Sequence, residues 1–404
     1  MTLTTHPPAA DQLLARLREQ VGSPEFGERV VAADQDGRMA LGNVDVLRAL
    51  GITGMPLDRS LGPEGPSVRL MIEVMETLGA VDPSTAVALN MHWVGARTLS
   101  RLPSFPRRDE ALAAIAAHEA TICGAFSNPS AEVDSRRARL SCRIEGDEVV
   151  LNGRAGFGSM SEAATYAMLG GMVEDSDPDD PQMVMTVGRL GEPGLVLHRN
   201  WSAMGMRGTG SNDIECRDLR IPLADCLVVP ISSVQEGRGI DPAIVAFGVT
   251  AIWLGLSQAA VDFTVDHVTH RYGYMAEGTF NPTTAAYRAD EAWAQLGLGN
   301  LDHWVGTGRV LLQAMADRID AGEDVPAPDL VRTLFHLRRM AEEVALGVMK
   351  ICGAHGYVTA QPLERMVRDL FGGVVMAWKT DQLQLTLGVG TLGRPIRFTG
   401  PAGS

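Results

Sequence analysis

The chain has 404 residues, of which 35 are lysine or arginine and 49 are aspartate or glutamate, so its formal net charge is −14. This balance argues against nucleic acid and anionic membrane surfaces as partners, because both attract basic patches. Hydrophobic residues make up 45% and charged residues 21% of the sequence, which is typical of a globular protein and excludes a disordered one. Aromatic residues make up only 5%, which predicts an aliphatic core and favours helices.

The cysteine pattern excludes two further classes of protein. Five cysteines lie far apart and never in a C-x-x-C spacing, so neither a disulfide scaffold nor a zinc–thiolate site is expected. The first residues lack the basic and apolar segments of a secretory signal. These features together predict a protein of the reducing cytoplasm without a bound metal.

The first 125 residues are predicted to be helical. Apolar residues three and four apart indicate an amphipathic helix that begins near Asp11. Further helices are expected over 43–51, with Asn43 as the N-terminal cap, over 67–78, and over 82–92, where the segment from Asp82 to Thr85 forms the cap. An alanine-rich helix over 108–125 is expected to end this part of the chain.

Between about residues 126 and 227 the hydrophobic period changes to two. Alternation over 140–144 and 149–151, separated by Glu145-Gly146-Asp147, predicts a β-hairpin. Further strands are predicted over 166–173, 182–190, 194–198 and 214–221, a spacing that is typical of a small barrel or sandwich. The acidic run 174–180 is interpreted as a solvated turn, because it lacks the glycine and the terminal glutamate of a calcium loop.

After residue 241 the pattern is helical again. A helix over 242–271 contains a nearly uncharged stretch, 243–261, that is almost long enough to span a membrane, but its polar residues and the acidic residues after it favour a buried bundle helix. Helices are also predicted over 281–322, over 328–353 with Asp329 as its cap, and over 363–370 and 374–387. We therefore predict an α+β, mostly helical protein with a helical domain (1–125), a central β domain (126–235) and a helical bundle domain (236–404).

Five segments resemble motifs of the acyl-CoA dehydrogenase superfamily, and they occur in the order of that family; the first along the chain is L-G-A-V-D-P-S-T-A (78–86). The most specific is Trp201–Asp213, W-S-A-M-G-M-R-G-T-G-S-N-D, followed by a strand that closes on Ile221-Pro222. The others are V-L-N-G-R-A-G-F-G-S (150–159), K-I-C-G-A-H-G-Y (350–357) and P-L-E-R-M-V-R-D (362–369). The resemblance covers nearly the whole chain and implies an N-terminal helical domain, a small β-barrel domain and a C-terminal four-helix bundle.

The resemblance implies a flavin, usually FAD, bound in a homotetramer or homodimer. By motif position, Phe126 and Ser127 are expected at the edge of the isoalloxazine ring, together with Asn128. Phe157 is expected to stack near the ring, and Ser159 is expected to form a hydrogen bond at N5.

The same resemblance implies where the diphosphate end of the cofactor would lie. Arg271 occupies the position at which the family places an arginine for the FAD of a neighbouring subunit. Lys350 replaces the usual glutamine of the glycine turn, where a cation can pair with a pyrophosphate. Gly353 and Ala354 belong to this turn and would approach the cofactor, while the choice between FAD and FMN stays open.

The main departure from the family concerns the general base that removes the α-proton of a thioester. Most members carry a glutamate shortly after the R-x-x-R-D motif, and here that position falls on or near Ala377. A minority carry the base on the first bundle helix, and here that position falls near Val245. Asp241, about one turn away, is a poor substitute, and the loss of a general base costs ~10²–10⁴ in rate.

This departure resembles the two-component flavin monooxygenases of the same superfamily, which receive reduced flavin from a separate reductase and react it with O₂. That branch needs a dry pocket and often a histidine beside the flavin. His92 is the first candidate for acid–base chemistry, with a core histidine as the alternative, and His355 is the second. Asp381 would orient a polar substrate or pair with Lys379.

We therefore predict a flavin-dependent monooxygenase that acts on a small molecule, with FAD, or with reduced FMN or FAD supplied by a reductase. One alternative is a dehydrogenase or oxidase of acyl-CoA or acyl-carrier-protein thioesters with a relocated base. Another is a flavin-binding homologue without catalysis. Subunits are expected to associate through the bundle, with the apolar residues of 374–389 as one contributing face.

Overall fold

The computed structural model describes residues 8–62, 65–125, 140–177, 179–230, 242–271, 287–376 and 379–394. In these residues the chain runs from helices through a β sheet to a second set of helices. The α-helices are α1 (Pro8–Val21), α2 (Pro24–Asp36), α3 (Leu41–Ala49), α4 (Val68–Gly79), α5 (Pro83–Arg101), α6 (Pro106–Ala116), α7 (Pro242–Thr269), α8 (Ala292–Asp320), α9 (Ala327–Cys352), α10 (Ala354–Tyr357), α11 (Pro362–Val375) and α12 (Thr380–Thr391). The strands are β1 (Ile122–Ala125), β2 (Leu140–Glu145), β3 (Glu148–Gly158), β4 (Tyr166–Val173), β5 (Gln182–Arg189), β6 (Leu195–His198), β7 (Asn212–Pro222) and β8 (Cys226–Pro230).

The described strands form one mixed sheet in the order β6-β7-β3-β2-β4-β5-β8, with β1 parallel to β4. The predicted hairpin is confirmed as β2 and β3, which pair antiparallel from Leu140 opposite Gly153 to Glu145 opposite Glu148. The four strands predicted after it correspond to β4, β5, β6 and β7. The middle of the chain therefore folds as the period-two pattern predicts.

The helix predicted over 108–125 is wrong in its second half. Helix α6 ends at Ala116, and β1 begins at Ile122 and pairs with β4 from Ile122 opposite Tyr166. Both Ile122 and Cys123 are fully buried in this arrangement. Pairing with a buried strand therefore overrides the helical propensity of the alanine-rich sequence, as tertiary context often does.

Helix α7 is the buried centre of the C-terminal helices, as predicted. Its long apolar stretch is 78% buried within the structure, and Trp253 and Phe247 are among the largest buried side chains. Its backbone lies directly against the backbone of α4. A Cβ atom on Gly255 would lie 2.0 Å from the carbonyl oxygen of Glu76, so only glycine permits this contact. The apolar character of α7 thus serves helix packing inside the protein.

Of the three predicted helix caps, Asp82 is confirmed, since its carboxylate accepts from the backbone N–H of Thr85 at the start of α5 at 3.0 Å, and the other two are wrong. Helix α3 begins at Leu41, so Asn43 lies inside its first turn, buried, where its Nδ2 donates to Asp82 Oδ2 at 2.9 Å. Helix α9 begins at Ala327, and Asp329 pairs with Arg332 at 2.8 Å instead of capping the helix. Asn43 is drawn to a partner that is distant in the chain, whereas Asp329 pairs with an arginine one turn further along its own helix.

The helix ends in the bundle also differ from the predicted ones. The segment predicted over 281–322 contains one helix in its described part, α8, and its residues before 287 lie outside the described residues. Helix α11 continues to Val375 instead of stopping at residue 370, and α12 begins at Thr380 instead of 374. The predicted order of helices is otherwise retained.

The signature segment, residues 201–213, is held by groups from the N-terminal helices and from α11. Arg368 on α11 binds both carboxylate oxygens of Asp34 at 3.0 and 2.7 Å, and Arg207 donates to the Asp34 carbonyl at 2.6 Å. The next residue on α11, Asp369, accepts from the backbone N–H of Met206 at 2.5 Å. A Cβ atom on Gly205 would lie 2.0 Å from the Arg368 carbonyl oxygen, so only glycine permits this approach.

We expect Asp369 to make the stability of the protein depend on pH. Burial raises the pKa of its carboxyl to about 7, above the ordinary value of about 3.9. A raised folded-state pKa favours the protonated form, so this contribution to the free energy of unfolding is present below about pH 4 and is lost as the pH rises through about 7. The variant Asp369→Asn keeps the acceptor for Met206 but cannot ionise.

Relative to the native protein, Asp369→Asn should therefore gain stability between about pH 5 and pH 8, by on the order of 2–4 kcal/mol. Urea unfolding at both pH values measures the difference. Asp36→Asn, which changes an exposed carboxyl at the end of α2, is the matched control and should show no such trend. A pH trend that is identical in Asp369→Asn and the native protein would contradict the assignment.

Candidate functional site

The C-terminal end of β3 presents an exposed aromatic ring in a strained backbone conformation. Between Ala155 and Gly158 the β3–β7 register shifts, so that three residue steps on β3 face two on β7, which is a β-bulge. Within it Phe157 has a φ of 55° and a side chain that is 51% exposed. Such left-handed backbone at a bulky residue costs on the order of 1–3 kcal/mol, and this kind of strain clusters at ligand sites.

The ring of Trp201 stands beside Phe157 and forms an aromatic corner with it. The two ring centroids are 5.9 Å apart and the planes meet at 70°. The indole Nε1 of Trp201 donates to the carbonyl oxygen of Met206 at 3.1 Å, which fixes the ring to the signature segment. The corner leaves Phe157 open on the side where a flat ring system can stack.

Ser159 lies next to this corner at the outer end of a chain of hydroxyl groups. Its Oγ is 2.8 Å from Ser211 Oγ, which in turn is 2.7 Å from Thr209 Oγ1. Thr209 Oγ1 donates to the Met206 carbonyl at 3.0 Å. Ser159 is half-buried, whereas Ser211 and Thr209 are buried behind it, so only Ser159 is placed to meet a ligand.

These residues fit the isoalloxazine ring of a flavin. The ring needs a flat apolar wall and polar groups at its N5 edge, and Phe157 and Ser159 offer both within three positions of the chain. Phe126 and Ser127, the other residues predicted at the ring, lie outside the described residues. Of the residues predicted at the ring, the structure describes Phe157 and Ser159, and it places these two together.

A second cluster lies between the end of α7 and the glycine turn after α9. We call it the cationic cluster, and it consists of Arg271, Arg288, His267 and His355. Burial and the charges of Arg271 and Arg288 lower the pKa of His267. The ring of His267 is 6.2 Å from that of His355, one residue beyond Ala354. Arg271 is thus placed near the predicted glycine turn, where positive charge would favour a phosphate group.

The glycine turn has a backbone that only glycine adopts readily. Gly353 has a φ of 62° and a ψ of −149°, and a Cβ atom there would meet no other atom within 4 Å. Ala354 is exposed and begins the short helix α10, and Lys350 is exposed on the last turn of α9. All three predicted residues are therefore accessible from solvent.

His92, the predicted acid–base residue, is fully buried in α5. Its Nε2 lies 2.9 Å from the Thr53 carbonyl, and its Nδ1 accepts from the backbone N–H of Ile122 at 3.0 Å. Burial lowers its pKa to about 4, so the ring is neutral near pH 7 with both nitrogens occupied. This geometry counts against acid–base catalysis by His92 and matches the alternative of a core histidine that ties α5 to β1.

Asp381 is exposed in the first turn of α12, which packs against α9. In the described part of the chain, no ion pair joins Asp381 to Lys379. Ala377 and Asp241, which bear on the missing base, lie outside the described residues. The structure therefore does not unite His92 and Asp381 in one site.

Sequence reasoning missed several members of these clusters. Ser211 and Thr209 lie in the signature segment, but the contact of Ser211 to Ser159, which links Thr209 to the chain, depends on the pairing of β3 with β7. His267 lies in the last turn of α7, four residues before Arg271, a spacing that could have marked it. Arg288 carries no local signal, because it reaches the cluster from a separate segment.

Comparison with known proteins gives the class of the molecule. Residues 247–375 match the family model described as acyl-CoA dehydrogenase, C-terminal domain. The chain is 26% identical over 369 residues to the putative acyl-CoA dehydrogenase YdbM of Bacillus subtilis, covering 88% of this chain and 91% of that protein. It is 24% identical over 383 residues to the amino sugar nitrososynthase DnmZ of Streptomyces peucetius, covering 91% and 90%.

Two solved structures share the whole architecture. Butyryl-CoA dehydrogenase from Megasphaera elsdenii superposes with a TM-score of 0.80 at 19% identity, covering 97% of this chain and 100% of that chain. FMN-bound TdsC from Paenibacillus sp. A11-2 superposes with a TM-score of 0.80 at 14% identity, with the same coverage. The protein therefore has the acyl-CoA dehydrogenase fold, and both the predicted fold class and the predicted resemblance to the acyl-CoA dehydrogenase superfamily are confirmed.

The contacts of His92 predict a structural role that can be measured. His92→Ala removes the partners of a buried carbonyl and a buried N–H, which should lower the free energy of unfolding by about 2 kcal/mol or more. His355→Ala, at an exposed position, should change it by less than about 0.5 kcal/mol. Urea unfolding of both variants checks this, and native stability of His92→Ala with lost activity would restore the acid–base interpretation.

Proposed function

We propose that this protein is a flavin-dependent monooxygenase that uses reduced flavin and O₂ to oxygenate a small molecule. The observation that carries the proposal is the exposed corner of Phe157 and Trp201 beside Ser159, which fits a flavin ring. The sequence has no carboxylate at either position where relatives of this fold carry the base for thioester dehydrogenation, since these fall near Ala377 and Val245. A flavin site without that base favours oxygen chemistry over α-deprotonation.

The similarity to other proteins supports the flavin and leaves two reactions to be separated. TdsC, which has the same fold, is a structure with bound FMN, and DnmZ is described as a nitrososynthase. YdbM is described as a putative acyl-CoA dehydrogenase, so a thioester dehydrogenase with a relocated base is the second candidate. The cofactor of this chain is accordingly proposed to be FAD, or reduced FMN or FAD supplied by a partner reductase.

When bound, a reduced flavin supplies the electrons that activate O₂. The residues of this chain would hold and shield it. Phe157 would stack on one face of the ring, and Trp201 would close the side of the pocket against water. Ser159 would fix the N5 edge, while Phe126 and Ser127 are proposed at the edge of the isoalloxazine ring from their motif position.

Arg271, Lys350, Gly353 and Ala354 are proposed to bind the diphosphate end of an FAD molecule. The cationic cluster provides positive charge at this point, and the exposed glycine turn permits close approach of a ligand. Asp381 is proposed to orient a polar substrate from the first turn of α12. The substrate class is a small molecule, and no described group favours nucleic acid.

Self-association is proposed through the C-terminal helices. Large apolar side chains are exposed on the five helices from α8 to α12. Exposed apolar residues in this number are typical of a surface that another protein covers. They include Leu296, Leu346, Tyr357, Val375 and Leu385. A homotetramer or homodimer would cover them, and it would bring the cationic cluster of one subunit toward the ring site of its neighbour, as the resemblance implies.

The proposed reaction predicts how the protein responds to thioesters and to O₂. Acyl-CoA esters of several chain lengths should leave the absorbance of bound oxidised flavin unchanged, because the sequence carries no carboxylate at either position where relatives of this fold carry the base for the α-proton. Reduced FMN on the protein should return to the oxidised form after O₂ more slowly than free reduced FMN does, because the pocket excludes water. Stopped-flow absorbance measures both.

Phe157→Ala should remove this delay, and Phe157→Tyr, which keeps an aromatic wall, should retain it. Bleaching of the oxidised flavin by any of the thioesters, together with immediate peroxide release from the reduced form, would overturn the proposal in favour of a dehydrogenase. Failure to bind FMN or FAD in either redox state would favour a non-catalytic homologue.

The role proposed for Arg271 predicts a selective loss of affinity. Arg271→Ala should weaken FAD binding about tenfold or more, because a charge-assisted bond to the pyrophosphate is lost, and should leave FMN binding within about twofold. Fluorescence titration with each flavin measures the two affinities, and Arg339→Ala, at an ion-paired surface position of α9, is the control. Equal weakening of both flavins, or of neither, would contradict the role.

A further inference from the structure

The direction of the chain of hydroxyl groups behind Ser159 depends on where Thr209 places its proton. Each serine or threonine hydroxyl has one proton to donate, and a backbone carbonyl can only accept. The Met206 carbonyl lies 3.0 Å from Thr209 Oγ1 and also accepts from Trp201 Nε1 at 3.1 Å and from the Thr209 backbone N–H at 3.2 Å. When the Thr209 hydroxyl donates to that carbonyl, its oxygen accepts from Ser211 at 2.7 Å, and the Ser211 oxygen accepts from Ser159 at 2.8 Å.

In this direction Ser159 has no free hydroxyl proton on its solvent side. Its only donor points inward, and its lone pairs face the place where the ring edge would lie. Since Ser211 and Thr209 are 5% and 2% exposed, no solvent competes for the inner end of the chain. The inner end of the chain is therefore shielded from solvent.

The backbone around Ser159 offers no substitute donor. The N–H of Ser159 donates to the Phe157 carbonyl at 2.9 Å, and the N–H of Met160 donates to the Thr209 carbonyl at 3.0 Å. The N–H of Ser161 donates to the Gly158 carbonyl at 3.0 Å. Three consecutive amide protons are therefore engaged, so this end of β3 offers acceptors.

We propose that Ser211 is a positioning residue that makes Ser159 a hydrogen-bond acceptor, so that the site selects reduced flavin over oxidised flavin. The N5 atom of oxidised flavin carries a lone pair and needs a donor, whereas N5 of reduced flavin carries a proton and needs an acceptor. An acceptor at Ser159 pairs with the reduced form and opposes the oxidised form. This inference rests on the proposed function, because it requires that the flavin ring lies against Phe157.

Selection of this kind suits a protein that takes reduced flavin from solution. Oxidised flavin would compete for the same stacking surface on Phe157, because both forms present a flat ring. The two redox forms differ at N5 in whether that atom donates or accepts a hydrogen bond. A mismatched pair there makes the free energy of binding less favourable by about 1–3 kcal/mol. A preference of about tenfold or more for the reduced form would follow.

The test compares the affinities of FMN in its two redox states. Dissociation constants of oxidised and of anaerobically reduced FMN are measured for the native protein, for Ser211→Ala and for Ser211→Thr. Ser211→Ala frees the Ser159 proton to donate to N5, so the preference for reduced FMN should fall about tenfold, which equals a decrease of about 30 mV in the midpoint potential of the bound two-electron couple. Ser211→Thr retains the hydroxyl and should restore the native preference.

Ser161→Ala is the matched control. Ser161 is a buried serine of the same turn whose hydroxyl donates to the Gly210 carbonyl at 2.6 Å, outside the Ser159 chain. Its loss should leave the redox preference unchanged even if both affinities weaken. A preference that stays constant in Ser211→Ala, or that favours oxidised FMN in the native protein, would overturn the inference.

One measurement on the native protein makes the test independent of how the variants fold. The chemical shift of N5 in isotope-labelled oxidised FMN reports whether a donor reaches that atom. We expect the bound value to match flavin in an aprotic solvent, and a value typical of a hydrogen-bonded N5 would refute the inference. Absence of binding by either redox state would instead refute the proposed flavin site itself.

Discussion

The candidate site depends on the way charged groups from distant parts of the chain converge on the signature segment. Arg368 and Asp369 approach it from α11, and Asp34 approaches from the end of α2. Glu162, almost fully buried as a side chain, accepts from the backbone N–H of Met39 at 3.1 Å and from Asn212 Nδ2 at 3.3 Å. Buried polar groups of this kind must be paired, so they fix one arrangement of the three parts.

This convergence explains why the end of β3 can be strained. Met206 has a φ of 55° and Phe157 has the same value, and both are held by neighbours that the convergence supplies. Asp369 accepts from Met206, while the Met206 carbonyl receives Trp201 Nε1 and Thr209 Oγ1. The aromatic corner and the hydroxyl chain therefore share one anchor, the backbone of Met206, and a change there would disturb both.

The general architecture could be predicted from the sequence because its patterns are strong and local. The period-two run around Glu145-Gly146-Asp147 identified the β2–β3 hairpin, and the apolar stretch of α7 identified a buried helix. The short strand β1 was missed because the alanine-rich sequence before it favours helix, and only the parallel pairing with β4 makes Ile122 extended.

The candidate site was predictable only in part. Phe157 and Ser159 follow from their motif, but the bulge that exposes Phe157 is a property of the β3–β7 register. His92 has a chemically versatile side chain, and only the contacts to Thr53 and Ile122 reveal that both ring nitrogens are used. Chemistry of a side chain can be read from sequence, whereas its availability depends on neighbours that are distant in the chain.

The central claim is that the end of β3 holds the reactive edge of a flavin ring. A crystal structure of the full chain grown with FMN under reducing conditions tests it most directly. The account predicts a ring stacked on Phe157 with N5 within hydrogen-bond distance of Ser159 Oγ. A ring bound elsewhere, or a carboxylate side chain directed at the substrate side of that ring, would contradict it.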